Sequence, residues 1–199
     1  MAEILTREDF VKKYLPYIQN VTEGTGIFPG TLMAQAVIES QGKVNGKWMV
    51  GGSRLSQRAN NFFGIKASKD WKGRIFNIDT GEYTKEGVYY IQTGAAFRAY
   101  DSVRDSIADY VKFLKANPRY EKAGVFSAKS VKEQAEALKR AGYATALNYA
   151  QTIQSVYDGL KGYASGVLDV VKKNKGKTIL AVLGLGALVT GIIIYTKNR

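Results

Sequence analysis

Ala34-Gln35-Ala36-Val37-Ile38-Glu39-Ser40 and, further along, Asn60-Asn61-Phe62-Phe63-Gly64-Ile65-Lys66 are the stretches from which the fold is read. The first places an acid where an apolar residue is expected. Leu32, Ala36 and Glu39 stand at i, i+4 and i+7, so the carboxylate continues the apolar stripe of a helix that Gly42 brings to an end. A carboxyl group held against apolar surface resists ionisation, because losing its proton there leaves a poorly solvated charge. Glu39 therefore has the character of a general acid, a carboxyl that keeps its proton near neutral pH.

The two stretches, in this order, resemble the peptidoglycan-cleaving glucosaminidases of glycoside hydrolase family 73, whose pattern runs A-Q-A-x-x-E-S-G and then N-N-x-F-G-I-K. Thr80-Gly81-Glu82-Tyr83, Ala96-Phe97-Arg98-Ala99-Tyr100, Asn117-Pro118-Arg119-Tyr120 and Ala141-Gly142-Tyr143-Ala144-Thr145 follow in the family's order, so the resemblance covers about residues 10 to 158. It implies an α+β, lysozyme-like fold in which a helical lobe and a small β-hairpin lobe flank a cleft. It also implies hydrolysis of the glycan backbone of peptidoglycan on the reducing side of N-acetylglucosamine, with Glu39 protonating the leaving oxygen. No metal or organic cofactor is implied. Two departures bear on loop shape and subsites. Gln41-Gly42-Lys43 replace the glycine and aromatic that usually follow the Glu-Ser pair, and Ala146-Leu147 replace an Asp-Pro.

Composition narrows the chemistry from another side. The 199 residues include neither cysteine nor histidine, which removes thiolate and imidazole chemistry and leaves carboxylates and tyrosines to move protons. The net charge of +12 divides evenly at residue 160, but the last 39 residues carry their share far more densely. The larger part is only moderately basic, which suits an anionic wall or membrane surface and gives no reason to expect nucleic acid.

Thr178 to Tyr195 is an uncharged run, TILAVLGLGALVTGIIIY, with lysines 172, 173, 175 and 177 before it and Lys197 and Arg199 after it. Eighteen helical residues span roughly 27 Å, enough for a bilayer core with little tilt. The expectation is a single membrane-spanning anchor, with Ala187 and Gly191 as a small-residue pair able to seat a second helix. The chain is thereby divided into a catalytic domain (1–160), a basic juxtamembrane linker (161–177), a span (178–195) and a basic tail (196–199). The N-terminus reads as charged helix rather than secretory leader.

Local signals set the other elements. Thr6 and Asp9 start a first helix that Pro16 is expected to kink or divide. Pro29 or Gly30 opens the Glu39 helix, and Gly42 to Gly52 reads as a glycine-rich loop. A short helix over 53–59 precedes a strand at Phe62 to Lys66. Strands over 73–79 and 88–100 are expected to meet in a turn through Gly81 and Gly87. Ser102 with Asp105 and Ser130 with Glu133 begin two further helices, and a last helix runs from Ala146 to Tyr157, after which Gly159, Gly162 and Gly166 loosen the chain.

The candidate catalytic set is Glu39, Glu82 and Tyr143. Glu82 aligns with the acid of the family's T-x-E-Y segment and is the choice for stabilising the oxocarbenium-like transition state, although Asp79 and Glu86 lie on the same expected turn. Tyr143 matches a cleft tyrosine of the family; read from its own surroundings it is equally a core ring after a helix stop. Asn60, Asn61, Trp48, Trp71 and Tyr149 form the substrate-binding set. For the asparagines the alternative is backbone capping, and for the tryptophans a surface ring with no ligand. A lytic transglycosylase, or a wall-binding protein with an inactive cleft, are the competing functions. Lysines ahead of the span favour a cytoplasmic N-terminal domain, away from the wall. A phage-particle lysin anchored in a virion or host membrane resolves that conflict, with a bacterial inner-membrane enzyme as the alternative.

Overall fold

The computed structural model of the chain describes residues 2–83, 88–144 and 146–173; at 82, 83 and 165–173 it describes the backbone. Helix α1, Arg7–Thr22, begins at Thr6, whose hydroxyl accepts from the Asp9 amide at 3.1 Å. It runs unbroken through Pro16, so of the expected kink or division the division does not occur. Phe10, Val11, Tyr14, Leu15 and Ile18 are buried on both sides of the proline while Pro16 itself is exposed, so packing outweighs a break of about 3 kcal/mol and water can reach the carbonyl left without a donor.

Helix α2, Pro29–Ser40, is the axis of the domain. Every residue from Thr31 to Val37 is buried, so the middle of the helix has no solvent face and only its two ends are half-buried. Both of its ends are held from outside. Gln134 accepts from the Phe28 amide at 2.9 Å, and the Ser40 carbonyl accepts from the Ser53 amide at 2.8 Å. Gly42 to Gly52 is not a plain loop, because β1, Gly42–Val44, and β2, Lys47–Met49, pair antiparallel across Asn45-Gly46. Both turn residues have positive φ, 50° and 79°, which suits a two-residue hairpin turn. A Cβ on Gly42 would stand 2.3 Å from the Gly52 carbonyl oxygen, so only glycine lets the base of this hairpin close.

Helix α3, Arg54–Ala59, is capped by Ser53 and ends on Asn60 in the left-handed region. Phe62 to Lys66 forms no strand; Lys66 alone bridges to Phe97. Strands β3, Arg74–Tyr83, and β4, Tyr89–Ala99, form a long antiparallel arm. Gly81 and Glu82 lie within β3, opposite Ile91 and Tyr90, and not in the turn where the sequence placed them. The pairing slips between Ile78 and Thr80, where Gly94 at φ +61° makes a bulge and its amide donates to the Asp79 carboxylate at 2.8 Å.

Helices α4, Val103–Ala116, α5, Pro118–Lys122, and α6, Val131–Arg140, follow, α4 starting in a full capping box of Ser102 and Asp105. The last described helix, α7, spans Tyr149–Lys173. It begins three residues later than expected and continues through the glycines read as loosening the chain. Each glycine costs about 1 kcal/mol relative to alanine, less than the burial of Ile153 and Leu160 together returns. The compact unit runs to Ala164. No described helix is long and apolar enough to cross a membrane; the run 178–195 lies outside the described residues.

Candidate active site

Glu39 occupies the last turn of α2, where the buried run Thr31 to Val37 gives way to half-buried residues. No described residue forms a hydrogen bond or ion pair with its carboxylate. Gly64, at φ +63°, passes beside it, and a Cβ there would lie 3.9 Å from Glu39 Oε2. The groups that feel its charge are the phenols of Tyr143 and Tyr149. Burial without a compensating partner pushes the Glu39 carboxyl up from 4.5 to about 7. The acid is thus about half protonated at neutral pH, as an acid catalyst for glycoside cleavage has to be.

An aromatic cluster lies beside it. The Tyr143 hydroxyl donates to the Phe63 carbonyl at 2.9 Å, and the Phe63 ring stacks on Tyr110 with centroids 4.1 Å apart. Tyr143 meets Tyr110 edge-on at 5.8 Å and Tyr149 at 6.1 Å. Tyr149 accepts a hydrogen bond from Gln35. The structure therefore brings Glu39, Tyr143 and Tyr149 together. Burial raises both phenols, so they stay protonated donors throughout the pH range in which Glu39 titrates.

The other candidates have different placements. Asn61 is fully buried; its amide donates to the Ile65 and Arg98 carbonyls, both at 2.9 Å, and accepts from the Phe63 and Ile65 amides. Asn60 donates to the Tyr100 and Asp101 carbonyls. Asn61 pins the segment carrying Phe63 and Gly64 to β4 through Arg98, and Asn60 pins it to the two residues that follow that strand. Trp71 donates its N–H to the Arg74 carbonyl at 2.9 Å and lies under the Arg98 guanidinium at 4.5 Å, so its polar atom and one face are already used. Trp48 differs: it is 59 % exposed on β2, directly across from Lys43, whose ammonium stands 5.7 Å from the ring centroid. Of the possible second carboxylates, Asp79 holds the bulge, Glu82 is placed by its backbone opposite Tyr90, and Glu86 lies outside the described residues.

Gln35 and Tyr110 were not singled out from sequence. The available signal was a glutamine one turn before Glu39 in a helix that is apolar on every side.

Comparison with known proteins bears directly on this site. The glucosaminidase family, described as mannosyl-glycoprotein endo-beta-N-acetylglucosaminidase, matches residues 15–162. The chain belongs to this family. It is 34 % identical over 172 residues to the peptidoglycan hydrolase FlgJ of Salmonella typhimurium, covering 84 % of this chain and 50 % of that protein. It is 30 % identical over 159 residues to the exo-glucosaminidase LytG of Bacillus subtilis, covering 78 % of this chain and 52 % of LytG. The chain thus spans about half the length of these curated relatives. The glycoside hydrolase domain of Salmonella typhimurium FlgJ superimposes with a TM-score of 0.59 at 31 % identity, over 85 % of this chain and 98 % of that domain. The architecture is the mixed, lysozyme-like glycoside hydrolase fold of helices with a small sheet.

Proposed function

We propose that the domain hydrolyses the β-1,4 bond on the reducing side of N-acetylglucosamine in peptidoglycan, with Glu39 as general acid. The observation that carries this reading is an unpaired carboxyl, raised to about 7, in the half-buried last turn of α2. Glu39 gives its proton to the bridging oxygen as the C1–O bond breaks, and the leaving sugar departs as a neutral alcohol. The resulting oxocarbenium-like carbon is stabilised either by Glu82 or by the substrate's own 2-acetamido group, and water adds at C1 while giving its proton to a carboxylate, Glu39 or Glu82, so that the acid form is restored. The likeness to a peptidoglycan hydrolase supports the choice of glycan.

The test is incubation of the full chain, beside Glu39→Gln, with peptidoglycan, followed by mass spectrometry. Reducible N-acetylglucosamine ends that vanish in the variant are expected. Anhydro-muramyl ends would make the enzyme a lytic transglycosylase, and the absence of Glu39-dependent fragments would leave a wall-binding role.

The uncharged run at 178–195, led by lysines 172, 173, 175 and 177, supports a bilayer anchor for this activity. Flotation of the full chain with liposomes, lost on Leu185→Arg, is the expected result; retention by the variant would overturn the anchor. A phage particle is the setting that reconciles the lysines before the span with a substrate outside the cytoplasm. Finding the domain periplasmic in uninfected cells would exclude that setting.

A further inference from the structure

Gln35 is 1 % exposed in the middle of the most buried helix of the domain. A primary amide there is unfavourable by several kcal/mol unless both its ends are bonded. Both are. Its Oε1 accepts from the Tyr110 hydroxyl at 2.7 Å, and its Nε2 donates to the Tyr149 hydroxyl at 2.7 Å. One amide therefore ties α2 to the middle of α4 and to the first residue of α7. Gln35 also stands four residues before Glu39, so the two side chains occupy the same face one turn apart.

Of the phenols it holds, Tyr149 lies close enough to feel the Glu39 charge, and Tyr110 is tied to the second such phenol, Tyr143, by an edge-on ring contact. Tyr110 carries Phe63 on its face, and Phe63 supplies the carbonyl that fixes Tyr143. Tyr149, accepting from Gln35, has its own proton left over, and among the described residues no acceptor takes it. Glu39 is the carboxylate whose charge Tyr149 feels.

We propose that Gln35 is a positioning residue for the acid: by holding Tyr110 and Tyr149 it sets the enclosure of the Glu39 carboxyl and aims the Tyr149 proton toward the cleft. This rests on Glu39 being the general acid. Two titratable groups face Glu39 from the packed elements, Tyr149 of α7 and Tyr143 of the segment after α6, and no described lysine or arginine pairs with it. Gln35 thus acts on the acid through ring placement, with no charge of its own.

The test is the pH dependence of kcat on peptidoglycan for the full chain and for Gln35→Leu, Tyr149→Phe and the double variant. Gln35→Leu keeps the volume but leaves two phenols unheld. The basic limb, set by the acid in the enzyme–substrate complex, is expected to move about one unit toward lower pH, a roughly tenfold loss of rate above it. Tyr149→Phe, which keeps the ring but removes a hydroxyl able to donate to the carboxylate, is expected to move it the other way, toward higher pH, and the double variant to match Gln35→Leu alone, since the phenol acts only while the glutamine holds it. Lower thermal stability with an unmoved basic limb in both single variants would make the glutamine purely structural and overturn the proposal, as would additive shifts. Should Gln35→Leu fail to fold, Tyr149→Phe alone decides by the same limb. An active Glu39→Gln enzyme would instead remove the general-acid reading beneath it.

Discussion

Replacing Glu39 by glutamine is expected to make the domain more stable in alkaline solution and hardly more stable in acid. In the folded chain the carboxyl ionises near 7, against 4.5 when unfolded. Between those values the native state holds a proton that the unfolded state has released. Stability conferred by the protonated form is therefore present below pH 4.5 and is lost as pH rises toward 7. Glutamine keeps the shape of the protonated acid and does not titrate, so its advantage over wild type grows over the same window. A shift of this size corresponds to about 1 kcal/mol by pH 5, about 2 by pH 6 and about 3 at pH 8, on top of any constant difference between the side chains. For a domain of this length that is roughly 6–12 °C in melting temperature at pH 8. Urea titrations of both proteins at pH 5, 6 and 8 measure it directly, with the difference between midpoints as the reading. A difference that stays flat from pH 5 to 8 would refute the reasoning, since Glu39 would then ionise like any surface glutamate.

Three shorter expectations follow from the same geometry. The basic limb of the wild-type pH–rate profile should fall near pH 7, and above it the rate should drop about tenfold per unit, because Glu39 acts only while protonated; a limb set only by the substrate would leave activity flat past pH 8. Asn61→Ala removes an amide that satisfies two carbonyls and two backbone N–H groups and should cost about 2–4 kcal/mol in urea unfolding, with activity falling as the Phe63–Gly64 segment loosens. Trp48→Ala should change stability by less than about 0.5 kcal/mol, because the ring is largely exposed, while a stacking role would raise KM about three- to tenfold; an unchanged KM would take Trp48 out of the binding set.

What the sequence made legible was whatever depends on near neighbours. The caps at Thr6, Ser102 and Ser130 stand where the hydroxyl and the acceptor spacing put them, and Glu39 meets the apolar surroundings its i, i+4, i+7 stripe implies. The β1–β2 hairpin was legible too, through Asn45-Gly46, but the density of glycines read as loop. Pro16 and the glycines of α7 misled for the opposite reason: local propensity is a weak term, and buried side chains on either side outweighed it. Gln35 was out of reach. Its partners lie 75 and 114 residues away, and nothing in the local pattern distinguishes a bridged glutamine from a misplaced one.

The slip at Gly94 works as a change of reading frame within one strand. On the inner half of β4, Ala95 and Phe97 are the residues turned to the core. Unbroken alternation would carry that face outward through Thr93, Ile91 and Tyr89. Because Ile78 pairs with Ala95 but Thr80 with Gln92, the extra residue hands the face to Gln92 and Tyr90 instead, and Gln92 duly meets the Lys66 ammonium at 2.8 Å. Ile91 and Tyr89, both more than half exposed, are left on the opposite side, where Tyr89 lies over Gly81. Deleting Gly94 would remove the bulge and keep Gln92 and Tyr90 on the face of Ala95 and Phe97, whereas ironing the bulge out with Gly94 retained would turn Thr93, Ile91 and Tyr89 inward, so the bulge is what lets the longer strand keep its face.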